Sequence, residues 1–391
     1  MSVANTPLAD NTFLLIREEP SWSTHGTAKT TVAVPYYGGN FGLRTEDPDR
    51  VQPHVDGDDE TTFIVQDTRD VNGPMEVGLF PSLAKKLLDW AIYRAGSPKK
   101  GKSHETTIVY PGLFARRCYG VMVNTMSVEG SDGEDIRLTF DLIGHYEEIL
   151  TGASIPAVGS FSFPGKTSMT FLNCRFLWSL DNLSTEIVPV GLESLSLQYN
   201  NNLTMGPHVE DRVNTYLDGC VEYVREGTRE VSGNVVALVD RSDLPTLIQN
   251  KYNFSLKILA AHRDGKGTTV GGAGAVAGNN VTITVADSSV FTANDVVRFD
   301  TADQTKRSVA TITSIPGGGV TIIVDTLDKN VASGDRVWDD AVEIKLASAR
   351  VTSMDYDQTP GELVKVTINF KATAETAGSV LFAYKAKAYT P

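Results

Sequence analysis

The hexapeptide TRDVNG at residues 68–73 returns, barely altered, as TREVSG at residues 228–233. The copies differ only at Asp70/Glu230 and Asn72/Ser232, both exchanges within one physical class. Each copy leads into the same succession of patterns. PMEVGLF and PSLAKKLLDWAIYRAG follow the first, and NVVALVDRSDLPTLIQN follows the second. Leu83, Leu87, Leu88, Ala91 and Ile92 fall on one face at helical spacing, with Ser82 as N-cap and Gly96 and Pro98 as the stop. A shorter second helix is expected after Ser242, with Pro245 in its first turn. Strand, turn and helix in the same order twice read as an internal duplication.

The flanks extend the match. Residues 40–57 (NFGLRTEDPDRVQPHVDG) and 202–219 (NLTMGPHVEDRVNTYLDG) share identities that include Asp49/Asp211 and Arg50/Arg212. The polar stretches 44–60 and 206–219 read as long acidic loops, each with an Asp-Gly hairpin signal, and loops of that length tend to be functional or disordered until bound. The repeated Asp-Arg pair predicts an inter-subunit contact or a loop fold. The assembly candidates are therefore Asp49, Arg50, Arg69, Asp211, Arg212 and Arg229. Elsewhere strands dominate. In DIRLTFDLIG (135–144) apolar and polar residues alternate, as in a sheet with one buried face.

The hairpin at 119–144 matches 341–373, but at an offset near 229 instead of 160, so some seventy residues have entered the second repeat. That insert opens on a Gly-rich linker (263–280), continues through short alternating strands, and reads as a small all-β module outside the main body. The expected organisation is one repeat over 1–155, a second over 156–263 and 341–391, and the insert at 264–340. The fold class is mainly β: two tandem sandwich or barrel units, each with a flanking helix, plus the inserted domain.

Composition narrows the function. The net charge of −13 argues against a duplex-gripping surface, which needs clustered Lys and Arg. No apolar run reaches the roughly 18–20 residues that span a bilayer. No secretory leader is read at the start, so synthesis in a cytoplasm is expected. Cys118, Cys174 and Cys220 make neither a disulfide framework nor a zinc site. GKT at 165–167 lacks the spacing of a phosphate loop, and DGDDE at 56–60 lacks that of a calcium loop. The six histidines are scattered, and none sits in a recognisable nucleophile setting. No catalytic, cofactor or metal residue is expected.

The order of TRDVNGPMEVGLF, PSLAKKLLDWAI and the hairpin YGVMVNTMSVEG…DIRLTFDLIG resembles the tail tube proteins of long, non-contractile-tailed phages. The turns NDVVRF and GDRVW resemble small β modules carried on the outside of phage virions. The resemblance implies a structural virion protein whose rings stack into a hollow tube for DNA passage. With two fold units per chain, three chains give a pseudo-sixfold ring. Its implied partners are further copies of itself and the tail terminator, tape measure and tail-tip proteins. Genomic DNA passes without specific binding, and the insert could meet host-surface glycans. The alternatives are a tail-tip or baseplate ring protein of the same fold, or a carbohydrate-binding protein.

Overall fold

Alternation along the chain decides which residues face inward. In the segment Arg137–Gly144, Leu138, Phe140 and Leu142 are fully buried while Thr139 and Asp141 point outward, the period-two pattern of a half-buried strand. The computed structural model describes residues 12–22, 29–35, 42–46, 49–52, 63–66, 70–92, 94–95, 100–161, 163, 168–179, 192–207, 221–238, 253–261, 267–300, 307–358, 360, 363–372 and 382–388. The chain is mainly β, as expected.

The first part holds β1 (Phe13–Glu18), β2 (Val32–Val34), β3 (Arg44–Glu46), β4 (Asp49–Gln52), β5 (Phe63–Gln66) and β6 (Asp70–Gly78). Then come α1 (Pro81–Ile92), β7 (Arg94–Ala95), β8 (Lys100–Gly101), β9 (His104–Tyr110), β10 (Phe114–Ser131), β11 (Arg137–Gly144) and β12 (Tyr146–Leu150). Next are β13 (Cys174–Ser179), β14 (Leu192–Asn200), β15 (Leu203–Pro207), β16 (Val221–Glu226), β17 (Glu230–Leu238) and β18 (Asn253–Ala261). The inserted strands are β19 (Gly267–Thr269), β20 (Gly278–Thr284), β21 (Val296–Asp300), β22 (Arg307–Ser314), β23 (Thr321–Leu327) and β24 (Arg336–Trp338). Strands β25 (Ala341–Asp357), β26 (Lys365–Ala372) and β27 (Ala383–Lys385) follow.

One ladder runs β13-β18-β25-β26-β17-β14-β10-β11-β6-β3, with β1, β2, β9, β12 and β27 attached to it. Within it the set β1-β9-β10-β11-β6-β3, with β12 on β10, has the same neighbours as β13-β18-β25-β26-β17-β14, with β27 on β25. The registers agree as well. Arg137 pairs with Gly78 and Lys365 with Leu238; Val128 pairs with Leu138 and Tyr356 with Val366. Both long strands carry an irregularity at the same place, between Val123 and Thr125 in β10 and between Val351 and Ser353 in β25.

The repeated hexapeptide sits at a crowded point of both ladders. A Cβ on Gly73 would lie 2.2 Å from the Gly42 carbonyl oxygen, and one on Gly233 would lie 2.6 Å from that of Ser196. Gly42 and Ser196 occupy matching places beside β6 and β17, so the same steric demand retains both glycines. The same registers correct the flanking alignment. Asp49 pairs with Gln66 and Leu203 with Glu226, so by register Asp49 and Arg50 stand where Leu203 and Thr204 do, while Asp211 and Arg212 lie outside the described residues. Arg44–Glu46 and Asp49–Gln52 are strands, where one long loop was expected.

Helix α1 begins at Pro81, the first-turn position that tolerates a missing N–H, so Ser82 lies inside it and is not the cap. Its expected stripe is buried, together with Ala84 and Trp90. Trp90 Nε1 donates to the Val121 carbonyl at 3.2 Å. The helix expected after Ser242 lies outside the described residues. β10 passes from the β9–β12 sheet to the β11–β14 sheet at Gly120, whose φ of +65° a side chain would resist. Glu19 fixes this corner by accepting the Gly120 N–H at 2.8 Å. Apolar residues of both halves and α1 form one continuous core.

The inserted strands form their own sheet, β19-β24-β21-β22-β23-β20, around Val297, Phe299, Ile312 and Val324. Two turns share one device. Asn294 (φ +73°) precedes Asp295, which accepts the Thr292 N–H; Gly334 (φ +91°) precedes Asp335, which accepts the Ala332 N–H. The module does not stand clear of the body. Val296 and Val309 pack with Leu177, Leu259 and Ala341. Buried Lys257 pairs with Asp328 at 3.2 Å, and Lys387 with Asp295 at 2.5 Å.

Two expected outcomes follow from this packing. Gly233→Ala should destabilise the chain by about 1–3 kcal/mol, the usual cost of overpacking, and Gly73→Ala by at least as much; chemical denaturation measures both. Burial, with Lys86 and Lys102 nearby, pushes His104 well below its ordinary 6.5, and burial pushes His145 down to about 4. Both imidazoles stay neutral in the fold and are protonated when unfolded below pH 6.5. The unfolded chain then binds more protons, so stability should fall as pH drops from 6.5 toward 5. Thermal melts across that window should show the slope, and His104→Leu should reduce it.

Candidate functional site on the polar sheet face

The segment LESLSLQYN alternates so that Leu195, Leu197 and Tyr199 are buried and Ser194, Ser196, Gln198 and Asn200 lie on the opposite face. The neighbouring strands repeat the division. On β17 the open face carries Ser232 and Asn234; on β26, Thr367 and Asn369; on β10, Thr125 and Ser127; on β11, Thr139. Registers join these into rows across the sheet. Thr139 stands opposite Ser127, Ser127 opposite Gln198, and Gln198 opposite Ser232. Arg137 stands opposite Glu129, which leads through Ser196 and Asn234 to Asn369.

The cations on this face are mostly neutralised. Arg137 lies 3.0 Å from Glu76, Lys365 2.7 Å from Glu193, and Lys371 3.2 Å from Glu230. Such exposed pairs add little stability, but each occupies a positive group that could otherwise take a phosphate. Arg350, exposed and opposite Lys371, has no carboxylate partner among the described residues. Glu129, Asp141 and Asp355 add exposed negative charge. The face offers hydroxyl and amide groups with little net attraction for a polyanion.

The two half-sheets meet on this surface. β10 pairs with β14 from Thr125↔Asn200 to Ser131↔Ser194. Buried Asn201 secures the joint: its Nδ2 donates to the carbonyls of Ala91 in α1 (2.9 Å) and Val123 in β10 (2.8 Å). Asn124, at the β10 irregularity, accepts the Leu203 N–H through Oδ1 at 2.9 Å.

The structure brings none of the six assembly candidates together among the described residues. Asp49 and Arg50 pair through their backbones with Gln66 and Val65 on β5. Arg229 is half-buried just before β17. Arg69, Asp211 and Arg212 lie outside the described residues, as do GKT at 165–167 and DGDDE at 56–60. Cys118 and Cys174 are buried free thiols, and burial pushes Cys174 up to about 12. In the insert, Phe291 and Phe299 are core residues, so they form no aromatic binding platform. Among the described residues no helix is long and apolar enough to cross a membrane.

An extended sheet with one apolar face, one weakly charged polar face and strand edges unpaired among the described residues suits a self-assembling structural subunit. The profile of the phage tail tube protein family matches residues 9–293, and the chain belongs to that family. It is thus a structural tail tube protein and a component of the virion. No curated protein sequence matches the chain.

If the face is built to leave DNA ungripped, new cations there should create binding. Ser127→Arg with Ser232→Arg, both beside Gln198, should give duplex binding that weakens with salt by a log–log slope of about −0.9 per phosphate contact. Electrophoretic mobility shifts at graded salt check this, with the parent chain showing no shift.

Proposed function

We propose that this chain is the major tail tube subunit, that three copies form a pseudo-sixfold ring, and that stacked rings make a hollow tube for DNA passage. The observation that carries this reading is the strand set present twice with the same neighbours and registers. It supports an internal duplication, with repeats over 1–155 and over 156–263 with 341–391, and the insert at 264–340. A ring that needs six such units then needs three chains. Closure into a barrel disposes of strand edges that would otherwise aggregate.

In this reading the polar face of β3-β6-β11-β10-β14-β17-β26-β25 lines the lumen. Its hydroxyls, amides and paired cations let DNA slide past without being held. Arg69 and Arg229 then stand once per fold unit around the ring. The docked insert faces outward. The chain, made in the host cytoplasm, meets the tail terminator, the tape measure and the tail tip at the ends of the tube. It performs no catalysis.

Negative-stain microscopy and native mass spectrometry of concentrated protein should show rings with the mass of three chains, and tubes at higher concentration. Persistent monomers, together with absence from purified virions, would overturn the reading. A virion gel should show the chain at high copy number; a few copies per particle would indicate a tail-tip ring instead.

A further inference from the structure

The strand sets β1-β9-β10-β12 and β13-β18-β25-β27 have matching neighbours, but the faces they turn away from the common core are covered by different means. On the first, Phe13, Leu15 and Val109 lie opposite the core-facing Leu14 and Ile16, and they pack with Ile155 and Phe161 of the chain after β12. On the second, the inserted sheet takes that place, with Val296 and Val309 against Leu177, Leu259 and Ala341. Ion pairs add to this contact, their cations on the body and their carboxylates on the insert. Lys257 meets Asp328 at 3.2 Å, Lys385 meets Asp325 at 3.8 Å, and Lys387 meets Asp295 at 2.5 Å.

Two of these cations belong to one short segment, residues 382–388, which grips the body by other means. Phe382 is buried edge-on against Tyr199 of β14, with ring centroids 5.6 Å apart. The Tyr384 hydroxyl donates to the Asp89 carboxylate on α1, and the Lys85 ammonium lies 5.8 Å from the Tyr384 ring centroid. On the insert side, Lys385 Nζ also donates to the Val309 carbonyl at 3.2 Å. As a strand the segment is short. β27 pairs with β25 over three residues, whereas β12, in the matching place on β10, pairs over five. Side-chain contacts therefore do much of the work of holding it.

We propose that residues 382–388 are a latch, aromatic at its body end and cationic at its insert end, which sets the insert against the body and ties it to α1. Asp295 is the fitted receptor for the cationic end. It is 2% exposed, and Thr292 fixes it through its N–H at 2.7 Å and its hydroxyl at 2.9 Å. A carboxylate so far out of water needs a cation, and Lys387 supplies it. Asp325 is likewise held in place, by the N–H groups of Thr311 and Thr326, both at 2.7 Å. Because the two ends differ in chemistry, reversing the charge at Lys385 and Lys387 frees the insert while the aromatic end stays seated.

Thiol labelling of the intact chain tests the latch, and it needs no tube to assemble. Val309 is fully buried between insert and body, so Val309→Cys in a Cys220→Ser background places a thiol under the docked insert. Buried Cys118, in the common core, reports unfolding of the whole chain. With the latch lysines present, a maleimide should label position 309 slowly. Lys385→Glu with Lys387→Glu should speed that labelling about tenfold and leave Cys118 protected, the signature of local opening. Lys385→Arg with Lys387→Arg should keep the slow rate. Unchanged labelling at position 309 after the charge reversal would overturn the latch, because the insert would then be held without it. Equal acceleration at Cys118 would overturn it too, because the segment would then be one more part of the common core.

Discussion

The pairing of β10 with β14 is the constraint on which the rest of the molecule depends. Without it the two half-sheets would each end in an open ladder of backbone donors and acceptors. With it, one ladder and one core extend through the chain. Asn201 makes the joint more than a strand pairing. It satisfies a carbonyl in the last turn of α1, a group that a helix leaves unpaired, and one at the β10 irregularity. A buried carbonyl left unmade costs about 1–3 kcal/mol, so helix, strand and joint stand or fall together.

The strands were legible because period and composition carry that information locally. DIRLTFDLIG, LESLSLQYN and the α1 stripe declare their buried faces without reference to any partner. The repeated hexapeptide was legible because a backbone approach close to Gly73 and Gly233 excludes a side chain in both copies. The flanking alignment failed for an instructive reason. Asp-Arg-Val at 49–51 and 211–213 is a short polar identity, whereas strand register makes Leu203 the counterpart of Asp49. Nor did sequence show which edge β14 would cover, because pairing across some 70 residues leaves no local signal.

The polar face was hidden for the same reason. Ser196 and Asn234 look like ordinary outward residues of separate strands until the ladder sets them side by side. Their joint property, a broad surface with little positive charge free to act, belongs to the sheet and to no single strand. The ion pairs along it are individually worth little for stability. Their value lies in occupying Arg137, Lys365 and Lys371.

If two fold units are joined in one chain, as proposed, the physics of closing a ring changes. An association between separate subunits costs several kcal/mol of translational and rotational freedom. The internal joint avoids that cost, because the tether holds β14 at high effective concentration beside β10. In the proposed ring, the joints between copies must then be weak enough for subunits to stay apart before assembly yet strong enough to close. In the proposed reading, duplication therefore makes one joint of every pair permanent before any two copies meet.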